Sequence, residues 1–579
     1  MFAFRSLRPV SSKIWFSIPQ QTARLRLNLL SPPLQRSAHF HSTSMQNAPK
    51  KPDHTVKRRK KSKADRAKNS GFDEVLQADI DKLLRKNQPE SEVRADSPDE
   101  TDTPTLPETF TEIEVKVAEL SSTGDGLALS EAGDHIYVVP FTVPGDKVLV
   151  KVVRHFPQLS YSLTDFLKVI EPGPQRNDAG IGCQYFGKCS GCQLQMMSYE
   201  DQLAHKKRIV EKAYANFSGL IPELVPAIGD TFPSPMQYGY RTKLTPHFAA
   251  PGGSGRGKKK APSGPVTEVP AIGFTYKNRR TDLDIEDCPL GTDIVRRGLK
   301  SERKRVAENI NSYKKGATLL MRESTLRTPK DGVDITIPQP TLPENGPGKE
   351  SGDVIRTEHD KYTEEKRCVT DSNATSVEYI DNYVFTNKAG AFFQNNNSIL
   401  SGFTEYIRQH ALPKDNQDDP KPIKYLLDAY SGSGLFTITL SPLFRSSLGV
   451  DVAEQSIVSA RDNARANSLP NTGFAAADAA TLFKDVPYPA EQTLLVIDPP
   501  RKGCSDDFLR QLLSFGPRRV VYVSCNVHTQ ARDVAVMVQG DAQKNIRYEI
   551  ESIRGFDFFP QTGHVEGVAI LNKTTFPQA

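Results

Sequence analysis

No apolar run in this chain approaches the roughly 18–20 residues that a membrane-spanning helix needs. The sequence therefore reads as a soluble protein with no membrane partner. Cysteine is scarce, with seven in 579 residues, which does not fit a secreted disulfide framework. Asp and Glu are missing from Met1 to Pro52, while Arg5, Arg8, Lys13, Arg24, Arg26 and Arg36 recur among Ser and Leu. That composition predicts a mitochondrial transit peptide over residues 1–44, with a disordered basic tail as the bland alternative. The net charge of +6 tilts only weakly toward an anionic partner. There is no internal repeat.

What is present divides the chain. The block Lys57-Arg58-Arg59-Lys60-Lys61-Ser62-Lys63 can serve as a nuclear signal, as a phosphate-binding arm or simply as a solvated run. Met45 lies between the two basic signals. Translation starting there drops the mitochondrial address and predicts a second, nuclear or cytoplasmic form. Residues 45–107, rich in charge, Ser and Pro, predict a disordered basic and acidic linker with one helix near Asp73 to Lys86. Pro251–Pro265, which holds Lys258-Lys259-Lys260, and Arg327–Asp371 are expected to be surface loops.

Over residues 108–170 the pattern is short β-branched runs between turns such as Gly124-Asp125-Gly126 and Pro144-Gly145. About sixty residues of this kind predict a small five-stranded barrel, a shape that often binds RNA and equally often only packs. Residues 171–390 are assigned to a central α+β domain with inserted loops, and 391–579 to a catalytic domain. In the latter, apolar runs end in turn at Asp428, Asp451, Asp478, Asp498 and Cys525, with amphipathic stretches between them. Strands alternating with helices mean an α/β, Rossmann-like doubly wound sheet, whose functional residues gather at the carboxyl ends of the strands.

That edge points to a cofactor class. Gly432-Ser433-Gly434 supplies a tight turn, and Asp451 stands about twenty positions beyond it, where an acidic side chain can hold two ribose hydroxyls. No third glycine completes a pyrophosphate loop, so an adenosyl-type cofactor suits better than a nicotinamide. The next loops carry Asp498-Pro499-Pro500-Arg501 and Ser524-Cys525-Asn526. They offer a carboxylate, a guanidinium and a thiol, and nearby cations or dipoles can activate such a thiol. The bland alternative is a buried structural cysteine. Glu566, opening the last apolar run, can return to the same edge as a general base, although a lone glutamate is more often a surface residue. Cys183, Cys189 and Cys192 crowd together as metal ligands do in a reducing compartment.

Taken in order, Cys183-x5-Cys189-x2-Cys192, Tyr240-Arg241-x-Lys243, Phe392-Phe393-Gln394-x-Asn396, Asp428-x-Tyr430-x-Gly432-x-Gly434, Asp498-Pro499-Pro500-Arg501, Ser524-Cys525-Asn526 and Thr562-Gly563-His564-Val565-Glu566 resemble the RNA uracil-C5 methyltransferases. The resemblance spans Thr109 to Leu571 and is closest to the fungal enzymes that act on uridine 54 of the tRNA T loop. It implies a class I S-adenosylmethionine-dependent methyltransferase domain behind a TRAM-like, OB-like barrel. It also implies Cys525 as nucleophile, Glu566 as proton acceptor, and Gln394, Tyr430, Asp451, Asp478 and Asp498 as residues binding S-adenosylmethionine. At Leu435 some relatives carry a polar residue, so a side-chain contact to the cofactor is not expected there.

With Cys288 as a fourth thiolate, the cysteines suit either tetrahedral zinc or a [4Fe–4S] cluster, and the resemblance favours the cluster. Arg241, Lys243 and Lys258–Lys260 are candidate phosphate contacts. The expected partner is tRNA, with a mitochondrial rRNA uridine as the second choice. The sequence calls for no obligate protein partner, and a monomer is expected. A cytosine-C5 enzyme is disfavoured because Arg501, not cysteine, follows the prolines. A radical enzyme is disfavoured because the first cysteine gap is five residues. A tRNA-binding folding helper is the reading from another class.

Overall fold

The computed structural model describes residues 72–87, 106–249, 268–313, 316–333, 335–342, 350–477, 482–483 and 486–577. The transit-peptide, Met45 and Lys57–Lys63 expectations lie outside these residues, as do Lys258–Lys260 and Asp478. Among the described residues no helix is long and apolar enough to cross a membrane.

The first described element is helix α1, Phe72–Asn87. It is where the sequence places a helix, and it packs against the strands that follow. Leu76, Ile80 and Leu83 recur at i, i+4 and i+7 and are buried against Leu127, Ile136, Val138 and Tyr161. Those partners belong to a closed barrel formed by β1 (Glu112–Leu120), β2 (Gly126–Leu129), β3 (Ile136–Val139), β4 (Lys147–Phe156) and β5 (Tyr161–Glu171), in the order β1-β2-β3-β5-β4. Alternation in β4 sends Val148, Val150 and Val152 inward.

Helix α2 (Tyr199–Phe217) and strand β6 (Gly229–Phe232) follow. The central region then builds two small antiparallel sheets. One pairs β8 (His247–Phe248) and β9 (Gly273–Thr275) with β10 (Asp282–Asp284) and β11 (Ala317–Thr318). The other joins β7 (Lys243–Leu244), β12 (Met321–Pro329), β13 (Glu350–Glu358) and β14 (Tyr362–Val369), with helix α3 (Asp293–Glu308) against it. The expected loop over Arg327–Asp371 is therefore largely sheet. Its strands are stitched by cross-strand ion pairs (Arg327 with Glu364, Arg356 with Glu365, Arg367 with Glu350) that replace apolar alternation.

A hairpin of β15 (Thr375–Ile380) and β16 (Tyr383–Lys388) leads through helix α4 (Leu400–His410) into the large sheet. Its strands are β17 (Tyr425–Ala429), β18 (Ser446–Asp451), β19 (Thr472–Ala476), β20 (Thr493–Ile497), β21 (Arg519–Ser524), β22 (Arg547–Phe556) and β23 (Glu566–Thr574), ordered β19-β18-β17-β20-β21-β23-β22-β6. The first five are parallel, as the sequence predicts, and β23 returns antiparallel beside β21. The intervening helices are α5 (Leu435–Leu440), α6 (Glu454–Ala466), α7 (Asp506–Phe515) and α8 (Val527–Gln539). Two apolar layers cover the sheet. Leu495, Val520, Tyr522 and Ala569 face α7, α8 and α2 on one side, and Leu494, Val496, Val521 and Ile570 face α4 and α5 on the other.

Candidate active site

The side chains at and just beyond the carboxyl ends of the parallel strands form the site. Asp428 is the exception: β17 continues to Ala429, which leaves Asp428 fully buried inside the strand. Its Oδ2 accepts from Thr437 N at 2.9 Å and Thr437 Oγ1 at 2.6 Å, tying the strand to α5. Burial raises its carboxyl to about 7, against those hydrogen bonds. The turn between them carries three residues in the left-handed region, Tyr430 (φ 65), Gly432 (φ 52) and Gly434 (φ 90). A Cβ on Gly434 would press against Ile438 and Phe474. Asp451, last in β18, receives Gly432 N on Oδ2 at 3.0 Å and Ala453 N on Oδ1 at 2.7 Å, so the turn and the acidic residue form one unit.

Cys525 follows β21 directly and precedes Asn526, the N-cap of α8. Ser524 pairs with Gly567 across the antiparallel ladder. One step further along, Cys525 therefore meets Glu566, which is 5% exposed. Burial, then Glu566, then Asp498 push the thiol up to about 12. Arg501 opposes this by donating a hydrogen bond to the sulfur. Asp498 is pushed well above the usual carboxylate range by burial, by Glu566 and by Asp428. Asp428, Asp498 and Glu566 thus crowd one edge, Asp451 adds its charge through Asp428, and Arg501 is the cation the thiol feels. A site with that balance favours a positively charged ligand.

Gln394 is buried in the loop after β16, where its neighbour Phe393 joins the apolar cluster of Leu435 and Phe436. Leu435 is itself buried. The Tyr430 ring packs on Phe508 at 5.4 Å and its hydroxyl hydrogen-bonds the Cys504 thiol.

The loop leading to Glu566 is held from below by groups with no signal in the sequence. Lys206 on α2 and Asp557 form an ion pair with both side chains fully buried. Lys206 Nζ also donates to Phe559 O at 2.9 Å, and Tyr199 donates to Asp557 Oδ2 at 2.9 Å. On an amphipathic helix such a lysine reads as solvated, and only the tertiary fold buries it. Removing one partner of a buried pair strands the other charge. Lys206→Met is accordingly expected to cost about 3–5 kcal/mol, read as a lower urea midpoint at unchanged m-value.

The four metal-candidate cysteines do come together. Cys183, Cys189, Cys192 and Cys288 line one cavity of about 90 Å³ with Tyr185, Arg241 and Asp287. Burial raises all four thiols, Cys189 to about 11. Yet among the described residues no group of three or more His, Cys, Asp or Glu side chains is placed to hold a metal ion. Neither the [4Fe–4S] nor the zinc expectation therefore finds a ready ligand set among the described residues. Arg241 and Lys243, the candidate phosphate contacts, are both half-buried. Arg241 lines this cavity and lies over the Phe559 ring at 5.6 Å, and Lys243 Nζ donates to Gly390 O and Ala391 O, both at 3.2 Å.

Residues 355–574 match the family model described as tRNA (Uracil-5-)-methyltransferase. The chain is 43% identical over 467 residues to the tRNA (uracil(54)-C(5))-methyltransferase of Schizosaccharomyces pombe, covering 80% of this chain and 79% of that protein. To the enzyme of the same description from Saccharomyces cerevisiae it is 41% identical over 483 residues, covering 79% and 73%. A crystal structure of Pyrococcus abyssi tRNA (uracil-54, C5)-methyltransferase with S-adenosyl-L-homocysteine shares the fold, with a TM-score of 0.52 at 21% identity, covering 79% of this chain and 100% of that one.

Proposed function

The chain belongs to the tRNA (uracil-5-)-methyltransferase family, and from that premise we propose that it moves a methyl group from S-adenosylmethionine to C5 of uridine 54 in the T loop of tRNA. The observation that carries the mechanism is the ladder position of Cys525 beside Glu566, with Asp498 and Arg501 at the same strand ends.

C5 of uracil is a weak nucleophile. Addition of the Cys525 thiolate to C6 pushes electron density onto C5, which attacks the methyl of S-adenosylmethionine; the sulfonium S–CH3 bond breaks and its electron pair leaves with S-adenosylhomocysteine. The ring then carries sulfur at C6 and both methyl and hydrogen at C5. Glu566 takes the C5 proton, the electron pair re-forms the C5–C6 double bond, and the C6–S bond breaks to release the thiolate. Arg501 favours the thiolate at the start and the end of this cycle. The cation-seeking carboxylate edge, with Asp451 beside the Gly432–Gly434 turn, suits a sulfonium donor carrying a ribose. Gln394, Tyr430, Asp451, Asp478 and Asp498 are the residues proposed to hold it. The target base has to leave its stack to reach a thiol at this depth.

The four thiols that line the cavity of about 90 Å³ are a donor set that suits a [4Fe–4S] cluster as well as zinc, and the family resemblance favours the cluster. Cys183, Cys189, Cys192 and Cys288 would hold it, in a structural role. Residues 1–44 are proposed as a mitochondrial address, with Met45 opening a form that lacks it. The test uses the full chain, purified without oxygen. It should methylate a T-loop transcript at one uridine and release iron, not zinc, on acidification. Methylation confined to rRNA, or zinc alone, would overturn the corresponding part of the reading.

A further inference from the structure

Arg501 can favour the thiolate only if its loop stays put, and the question is what holds it. The backbone carbonyl of Arg501 accepts from Asn526 Nδ2 at 2.9 Å and Thr529 Oγ1 at 3.2 Å. Two residues on, the chain turns at Gly503 (φ 77), closed by Gly503 N to Pro500 O at 2.8 Å. There a single carboxylate oxygen takes over. Asp533 Oδ2, on α8, accepts Cys504 N at 2.7 Å and the Tyr522 hydroxyl at 2.5 Å. Tyr522 lies on β21, three residues before Cys525, and its hydroxyl also lies 3.9 Å from Cys504 Sγ. Gly503 fits so closely that a Cβ there would fall 2.6 Å from the same oxygen. One atom thus joins the turn after Arg501 to the strand that carries the nucleophile.

We propose that Asp533 is a positioning residue of the methyl-transfer site: through Cys504 N and Tyr522 it sets the distance between the Arg501 guanidinium and the Cys525 sulfur. It touches neither. A structural aspartate could be placed anywhere along α8, but this one joins the turn after Arg501 to the strand that carries Cys525, adding to the hold of Asn526 and Thr529 on the Arg501 carbonyl. The groups facing the thiol are Glu566, Asp498 and Arg501, and those facing Asp533 are Cys504, Tyr522 and Arg532. Losing the Asp533 charge alone lowers a nearby thiol pKa, because an anion disfavours a second anion. Losing the clamp raises it, because Arg501 drifts away. The two effects have opposite signs, so the direction of the shift identifies the cause.

The proposal rests on the reading of Cys525 as nucleophile, and the experiment separates the two. The rate of Cys525 alkylation by iodoacetamide at a fixed pH of about 9, followed by peptide mass spectrometry on the intact enzyme, reports the thiolate fraction. Trapping on 5-fluorouridine RNA reports its role. Asp533→Ala is expected to slow alkylation about tenfold, the loss of thiolate that one pH unit represents. Arg501→Gln slows it likewise, and the double variant slows it no further than either alone. Asp533→Asn, whose amide oxygen can take both hydrogen bonds, restores the wild-type rate. Should Asp533→Ala not fold, Tyr522→Phe, which removes one of the two donors, slows it less. A rate that stays or rises, or effects that multiply in the double variant, would overturn the proposal. Rates that move as expected without any wild-type trapping would sink the nucleophile and leave Asp533 as the setter of the thiol.

Discussion

Cys525→Ala is expected to remove covalent capture of 5-fluorouridine-substituted T-loop RNA entirely, and to lower methyl transfer by at least about a thousandfold. The size follows from the chemistry. Without a nucleophile at C6 nothing drives electrons onto C5, and no other residue at this edge can stand in. Cys504 is held in the Tyr430–Tyr522–Asp533 network behind the Arg501 loop. Cys525→Ser keeps the volume but presents a far weaker nucleophile at neutral pH, and should fall nearly as far.

The resting thiol, pushed up to about 12, leaves only about one molecule in 10⁵ as thiolate at neutral pH. The two nearest carboxylates cause much of that after burial does. A cationic methyl donor lodged among them reverses the balance, so wild-type capture should be slow with RNA alone and much faster with donor present. Both effects are read on denaturing gels, with thermal unfolding to show that each variant folds. If Cys525→Ala still forms the gel-stable complex, the nucleophile lies elsewhere.

The parts of this site legible in the sequence are those fixed by local pattern. Each parallel strand is a short apolar run stopped by an acidic residue or Cys525, and the sheet preserves that order. The limits of the pattern show at Asp428. A buried carboxylate within a strand reads as a strand end, because its partner, Thr437, is nine residues away on a helix. Glu566 stands out only through its motif. What makes it a base is the antiparallel register of β23 on β21, which no local feature encodes. Strands β13 and β14 read as loop because their faces are charged on both sides. They are sheet because those charges pair across the strands. Lys206 and Asp533 on helices, and Asp557 just past β22, stay hidden for the same reason: a charged residue looks solvated until the fold buries it with a partner.

Glu566→Gln separates the two halves of the cycle. The amide is nearly the same shape, so binding, thiol addition and methyl transfer to C5 remain possible. Removal of one carboxylate beside Cys525 even eases thiolate formation, since Glu566 is the largest charge raising that thiol. The missing step is the last one. An amide cannot take the C5 proton, the double bond cannot re-form, and the sulfur stays bonded to C6. Natural, unfluorinated T-loop RNA should therefore accumulate on Glu566→Gln as a methylated covalent complex that wild type never builds up. Turnover should drop by about 10²–10⁴-fold, the usual worth of a positioned general base. His564, with Nε2 3.7 Å from Glu566 Oε1, is a neighbouring base that can partly replace it, and the double variant His564→Ala/Glu566→Gln should hold the complex longer still. Mass spectrometry of the trapped peptide decides the point. A methylated adduct on Cys525 supports proton removal by Glu566, whereas an adduct without the methyl would place the block before methyl transfer and assign Glu566 to binding the donor.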